Sequence, residues 1–163
     1  MIFNRFAKNA RATATHAERV ALRLASPTVE AEHLLLALAE GPPAATQEAL
    51  ADAGLKPEEL QEALADETDR SLASVGLSAD AFYLSSFVDA AVRPKWGTSA
   101  KLALERSMKV AVRLGHSRIE PGHILLGVLQ ASIGTVPRAL ETAGVDRHDI
   151  VRRVEATLDH AGR

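Results

Sequence analysis

The sequence predicts an all-α fold made of two tandem four-helix repeats, related by a pseudo-two-fold and packed as a single domain. Three observations predict it. The chain matches itself without a gap when shifted by 90 places, so that residues 6–69 lie over 96–159. Apolar residues recur at three- and four-residue steps through both halves, the period of a helix with one buried face. No stretch sustains the period-two alternation of a half-buried strand, so no sheet is expected.

The self-match is dense where helices are expected. His33-Leu34-Leu35-Leu36 falls on His123-Ile124-Leu125-Leu126, and Val20-Ala21-Leu22-Arg23-Leu24 on Val110-Ala111-Val112-Arg113-Leu114. Glu30 falls on Glu120, and Ala53-Gly54 on Ala143-Gly144. Elsewhere one apolar residue replaces another, as in Phe6/Trp96, Val29/Ile119 and Leu64/Val154. A fixed-period self-match of this kind is the mark of a duplicated structural unit.

The first helix of each unit buries Ala10, Ala14, Ala17, Ala21 and Leu24, or Ala100, Leu104, Ser107, Ala111 and Leu114. The second carries His33 to Ala39 or His123 to Leu129, with Pro121 in its first turn, where a missing N–H costs nothing. The third ends at Gly54 or Gly144, because glycine accepts the left-handed conformation that closes a helix. The fourth opens on Lys56-Pro57-Glu58-Glu59 or Asp146-Arg147-His148-Asp149. Proline suits a helix start, and acids there complement the dipole. Repeat one therefore spans 3–69 and repeat two 96–159, with a connector over 70–95. Within the connector, residues 78–92 are apolar enough for a short helix, with Ser78 as N-cap. Four of the six aromatics, Phe82, Tyr83, Phe87 and Trp96, lie in the connector or at its end. They either pack the connector onto the repeats or form a partner patch.

With 163 residues and 47% hydrophobic content, the chain supports its own core. A net charge of −2 offers no general attraction to nucleic acid or anionic lipid. The lack of cysteine removes disulfides, thiolate metal sites and Cys nucleophiles. The opening MIFNRFAKNA has no secretory apolar core, and the longest apolar run is too short to span a bilayer. A cytoplasmic monomer without membrane or nucleic-acid partners is expected.

No Gly is followed by Lys, so a phosphate-cradling P-loop is excluded, and neither Gly-x-Ser-x-Gly nor His-Glu-x-x-His occurs. His33 and His123 occupy equivalent positions and admit two readings. They are packing residues that hydrogen-bond backbone at a helix start, or they serve a small His-dependent enzyme. A structural oligomerisation domain is a third reading of the whole chain. Neither a metal nor a cofactor is expected. Arg152-Arg153 reads as a basic pair complementing the end of the last helix.

The doubled pattern resembles the Clp repeat (R) domain. It has an aromatic before an Ala-rich helix, Glu-His-Leu-Leu-Leu or Gly-His-Ile-Leu-Leu, then Ala-Leu-x-x-Ala-Gly. That domain lies at the amino terminus of ClpA/ClpB/ClpC-type AAA+ unfoldases, and the ClpC subgroup is the most similar. The resemblance implies a double Clp N motif and a non-catalytic module that binds proteins or peptides. Such a module recruits or sequesters substrates and adaptors for Clp-dependent proteolysis. At 163 residues there is no room for the ATPase ring, so the resemblance implies a stand-alone module.

It also implies two ligand surfaces. Phe3, Trp96 and Lys101 fall where ClpC-type domains hold hydrophobic macrocyclic peptide antibiotics. Two rings supply area at low entropic cost, and a lysine reaches a carbonyl. The phosphoarginine pockets start at a Gly-Thr-Glu-His motif, of which repeat one keeps Glu32 in Glu30-Ala31-Glu32-His33 and repeat two keeps no Glu in Glu120-Pro121-Gly122-His123. Loss of the threonine donor, with Glu30 and Glu120 nearby, implies weak anion binding. The connector is longer than the resemblance implies.

Overall fold

The structure is a computed structural model and describes residues 2–42, 44–78, 80–81 and 92–161. Among them are eight α-helices. The first four are α1 (Lys8–Arg23), α2 (Ala31–Ala39), α3 (Ala45–Asp52) and α4 (Pro57–Ser74). The others are α5 (Thr98–Arg113), α6 (Pro121–Leu129), α7 (Thr135–Thr142) and α8 (Arg147–Ala161). Each helix of the second set begins 90 residues after its counterpart. The all-α, two-repeat reading therefore holds in the structure.

The apolar faces land where the periodicity places them. Helix α1 buries Ala10, Ala14, Ala17 and Ala21, and α5 buries Ala100, Leu104, Ser107 and Ala111. Small residues on these faces let α1 and α5 lie close against the central pair, α2 and α6. Those two are apolar all round: every residue of α6 from Gly122 to Leu129 is buried, and Glu32 is the one residue of α2 that is not, as expected of helices enclosed on all sides. Around this pair the repeats embrace each other reciprocally, α4 against α7 and α3 against α8. The α4–α7 contact includes a buried carboxylate, Glu67, which accepts hydrogen bonds from Arg138 Nε at 2.5 Å and Ser71 Oγ at 2.9 Å. The Arg138 bond holds the Glu67 carboxyl below its usual range.

The joint between repeats contains a feature absent from the sequence reading. Phe6 bridges Ile119 in parallel, while Thr28–Val29 (β1) pairs in parallel with Lys95–Trp96 (β2). Because Trp96 is the counterpart of Phe6 and Ile119 that of Val29, the two pairings are one interaction repeated by the pseudo-two-fold. Each repeat's leading segment closes the other repeat's first interhelical loop. The bonds are Ala7 N–H to Ile119 O (2.9 Å) and Gly97 N–H to Val29 O (2.9 Å). Two-residue strands are too short to show alternation, so periodicity is silent about them.

Several helices end through a residue in the left-handed region. In α3 and α7 the chain turns at Gly54 and Gly144 with φ of 79° and 70°, and the next residue's amide returns to Leu50 O or Leu140 O. The end of α5 uses Gly115 (φ 73°), but its counterpart after α1 is Ala25, at φ 54°. A Cβ in that region costs about 1 kcal/mol relative to glycine. Ala25→Gly is expected to stabilise the fold by about 0.5 kcal/mol after the added freedom of the unfolded chain is counted. Thermal melting should show an upward shift of about 1–2 °C; a lower midpoint would contradict the strain at this turn.

Ser78 Oγ accepts a hydrogen bond from Ala81 N–H at 3.2 Å, the contact expected of an N-cap. The remainder of the 78–92 helix, with Phe82, Tyr83 and Phe87, lies outside the described residues.

Candidate functional site

The paired motif Glu-x-x-His explains the two equivalent histidines. Glu30 precedes α2 and Glu120 precedes α6, each in an extended conformation, with the histidine at the third helical position. Glu30 N–H donates to His33 Nδ1 at 2.8 Å, and Glu120 N–H donates to His123 Nδ1 at 2.9 Å. Each pair forms a capping box, with the glutamate side chain accepting from the histidine's amide. An Nδ1 that accepts must be unprotonated, so both rings are neutral with the proton on Nε2. Burial pushes both imidazoles down to about 4, and His116 adds to the effect at His123. In repeat two the His123 Nε2–H then donates to His116 Nδ1 at 2.9 Å. The rings meet edge to face, with centroids 5.1 Å apart.

Beyond the shared motif the two helix starts differ. The Glu30 carboxylate reaches across to repeat two. It accepts from the Ser99 hydroxyl and, at 3.3 Å, from Ser99 N–H in the first turn of α5. Ser99 Oγ in turn accepts Ala31 N–H at 2.9 Å. One carboxylate thus serves the starts of two helices. Gly97 makes room for it, since a Cβ there would lie 1.8 Å from Glu30 Oε1. In the other repeat the counterparts of Gly97 and Ser99 are Ala7 and Asn9. There Glu120 lines an open cleft of about 490 Å³ together with Asn9, His116, Arg118 and Thr157.

Glu32 is half-buried in the first turn of α2, and burial raises its pKa, with Glu30 adding to the rise. Its counterpart Gly122 packs against Val154 and Leu158 of α8, where a Cβ would come within 3.1–3.3 Å of their side chains. The acid retained by repeat one therefore has no chemical equivalent in repeat two.

Trp96 lies at the seam between repeats. Its backbone pairs with Val29, its ring packs partly buried against the core, and its Nε1–H donates to Glu18 Oε1 of α1 at 3.2 Å. Glu18 Oε2 also accepts from Arg93, Nη2 at 2.6 Å and Nε at 2.9 Å. Phe6, the counterpart of Trp96, is only 3% exposed, so the pseudo-symmetry breaks at this ring and leaves part of the indole accessible. Lys101 is exposed in the first turn of α5. Phe3 belongs to the short 3-10 turn Ile2–Arg5 that leads into α1.

The family model described as the Clp repeat (R) N-terminal domain matches residues 5–93 and 95–162. The chain belongs to that family. Rice chloroplastic chaperone protein ClpC1 is 37% identical over 82 residues, which is 48% of this chain and 9% of that protein. The ClpC ATP-binding subunit of Staphylococcus saprophyticus is 33% identical over 61 residues, 37% of this chain and 7% of the relative. The chain thus spans less than a tenth of the length of these relatives. In fold it resembles the N-terminal domain of ClpD from Arabidopsis thaliana, with TM-score 0.69 and 17% identity over 97% of both chains. It also resembles the Hsp104 N-terminal domain from Candida albicans, with TM-score 0.62 and 18% identity over 93% of this chain and 89% of that one.

In this Clp repeat domain the sequence reading missed Glu18 and Arg93, which hold the Trp96 ring. A signal was present: position 18 is acidic where the duplicated position is the apolar Met108. Arg152 and Arg153 require correction. They lie in the middle of α8 and pair with Asp149 one turn earlier, at 3.1 and 2.8 Å, so they serve side-chain ion pairs and not the helix end. Among the described residues of the Clp repeat domain, no cluster of three or more His, Cys, Asp or Glu is placed to hold a metal, and no helix is long and apolar enough to cross a membrane.

Proposed function

We propose that this Clp repeat domain is a non-catalytic docking module that presents protein or peptide ligands to Clp-dependent proteolysis in the cytoplasm. The observation that carries the reading is the Trp96 seam. A half-buried indole is pinned by Glu18 at the joint between two repeats, five residues before the exposed Lys101. An aromatic whose orientation is already fixed contributes contact area with little entropic loss on binding. The histidines support the same side of the argument. Both have Nδ1 committed to a helix cap, and His123 is fully buried, so neither offers a free base to a substrate as an enzyme would need.

The ligand class is an apolar polypeptide segment: clients, adaptors, Clp components or a macrocyclic peptide antibiotic, with Phe3, Trp96 and Lys101 as the contact residues. Affinity capture from native cytosol with wild type and Trp96→Ala, read by mass spectrometry, tests the reading. Unfoldase subunits or adaptors retained by wild type and lost by the variant are expected. Identical recoveries would remove the surface.

Phosphoarginine is expected to bind poorly. In repeat one the amides of Glu30 and Ala31 already donate to His33 and Ser99, and Glu30 places negative charge beside them. In repeat two the first helical residue is Pro121, which has no N–H to offer. Calorimetry should register no binding in the micromolar range; tight binding would overturn this part of the proposal.

A further inference from the structure

The two repeats differ by one methyl group at the place where the first helix crosses the second. In repeat two the residue is Gly127, and a Cβ on it would stand 2.3 Å from Ala103 O and 2.8 Å from Ser107 N. Backbone of α5 therefore lies directly on α6. The counterpart in repeat one is Ala37, whose methyl forbids so close an approach by the equivalent α1 residues, Thr13 and Ala17. Beside Ala37 a cleft of about 340 Å³ opens, lined by Ala12, Thr13, Leu38 and Pro42, with Pro121 of repeat two as its far wall and His16 and Arg19 at its rim.

Charge distinguishes this cleft. Four others carry a carboxylate on their walls: Glu155, Glu59, Glu141 and Glu120. None of the described residues lining this one is acidic, in a chain with 21 Asp and Glu. Glu40, which binds His16 at 2.8 Å, is also engaged by Arg23. Arg19 is exposed and makes no ion pair among the described residues. An apolar trough with a cation at its edge is complementary to an apolar group carrying a carboxylate. The volume lies at the small end of the range for ligand pockets, about 300–1,000 Å³, and suits the end of a chain better than a long segment.

We infer that the Ala37 cleft is a second binding site, separate from the Trp96 surface, for the free carboxy terminus of a polypeptide ending in branched apolar residues. The apolar side chain enters between α1 and the α2–α3 turn, and the terminal carboxylate meets Arg19.

The test is NMR titration of the protein with a short peptide ending in Leu-Leu, its C-terminally amidated twin, and 4-methylpentanoate as a free acid without a peptide. The acid peptide should shift the amides of Thr13, Leu38 and Thr46. Amidation, or Arg19→Ala, should weaken binding about fivefold, the effect of one exposed charge pair. Ala12→Trp, at an exposed position on the cleft wall, should abolish binding without unfolding the protein. Trp96→Ala should leave binding unchanged, so this site and the docking surface fail or survive separately. The inference is overturned if no shifts occur at millimolar peptide, if acid and amide bind alike, if Ala12→Trp binds normally, or if Trp96→Ala loses binding. Equal affinity for 4-methylpentanoate would also overturn it, by showing that the site takes small acids and not chain ends.

Discussion

Gly127→Ala is expected to destabilise the protein by about 3 kcal/mol, and to lower its melting midpoint by roughly 6–12 °C. In an exposed helix the same change would be favourable by about 1 kcal/mol. Here the new Cβ would meet backbone, Ala103 O at 2.3 Å and Ser107 N at 2.8 Å, and backbone cannot rotate aside as a side chain can. Helix α5 must back away from α6 along its length, and the buried Ala103, Leu104 and Ser107 lose packing with it. The reciprocal change, Ala37→Gly, should cost only about 1 kcal/mol from backbone freedom. A Gly127→Ala protein melting within a degree or two of wild type would show that the α5–α6 contact is looser than described.

Stability is expected to fall steeply between pH 6.5 and 4. His33 and His123 have folded pKa values near 4 against an ordinary 6.5, so in this window the unfolded chain binds protons that the native rings refuse. The stabilisation is therefore complete above pH 6.5 and is lost as pH falls toward 4. A shift of that size corresponds to about 3 kcal/mol for each ring, and both rings together give a slope of roughly 2–3 kcal/mol per pH unit near pH 5. Glu32 acts oppositely, because its raised folded value favours the neutral acid, and it offsets part of the slope. Glu40 and Glu67, both lowered, lose their contributions only as pH drops below the ordinary carboxylate range. Replacing both histidines by glutamine keeps a capping-box acceptor while removing the titration. Chemical denaturation at several pH values should therefore show the steep fall abolished in the double variant, leaving only the shallow opposite slope of Glu32 in this window. Parallel profiles for the two proteins would refute the assignment.

The duplicated helices were legible because each repeat states its amphipathic faces independently, and the copies agree: Ala10 with Ala100, Ala21 with Ala111, Leu35 with Leu125. Gly54 and Gly144 marked the same helix ends in both. The features that escaped are those in which one repeat touches the other. The Phe6–Ile119 and Val29–Trp96 pairings involve too few residues to leave a period. The reach of Glu30 to Ser99 depends on the missing side chain of Gly97, and nothing local to Glu30 announces it. The duplicated histidines were visible as a pair, but the backbone amides that their Nδ1 atoms accept from were not. The Trp96 ring was identified from the family resemblance, whereas its anchor Glu18 lies 78 residues away and is marked only by disagreement with Met108.

The crossed pairing of leading segments and loops bears on how the chain comes to be folded during synthesis. Val29 waits for Trp96, and Phe6 for Ile119. A nascent chain that has emerged only through its first half thus lacks both closures, and its α2 helix, apolar on nearly every side, has no α6 to cover it. Cotranslational completion should accordingly come late, with the first half exposed to chaperones until residues near 129 clear the ribosome.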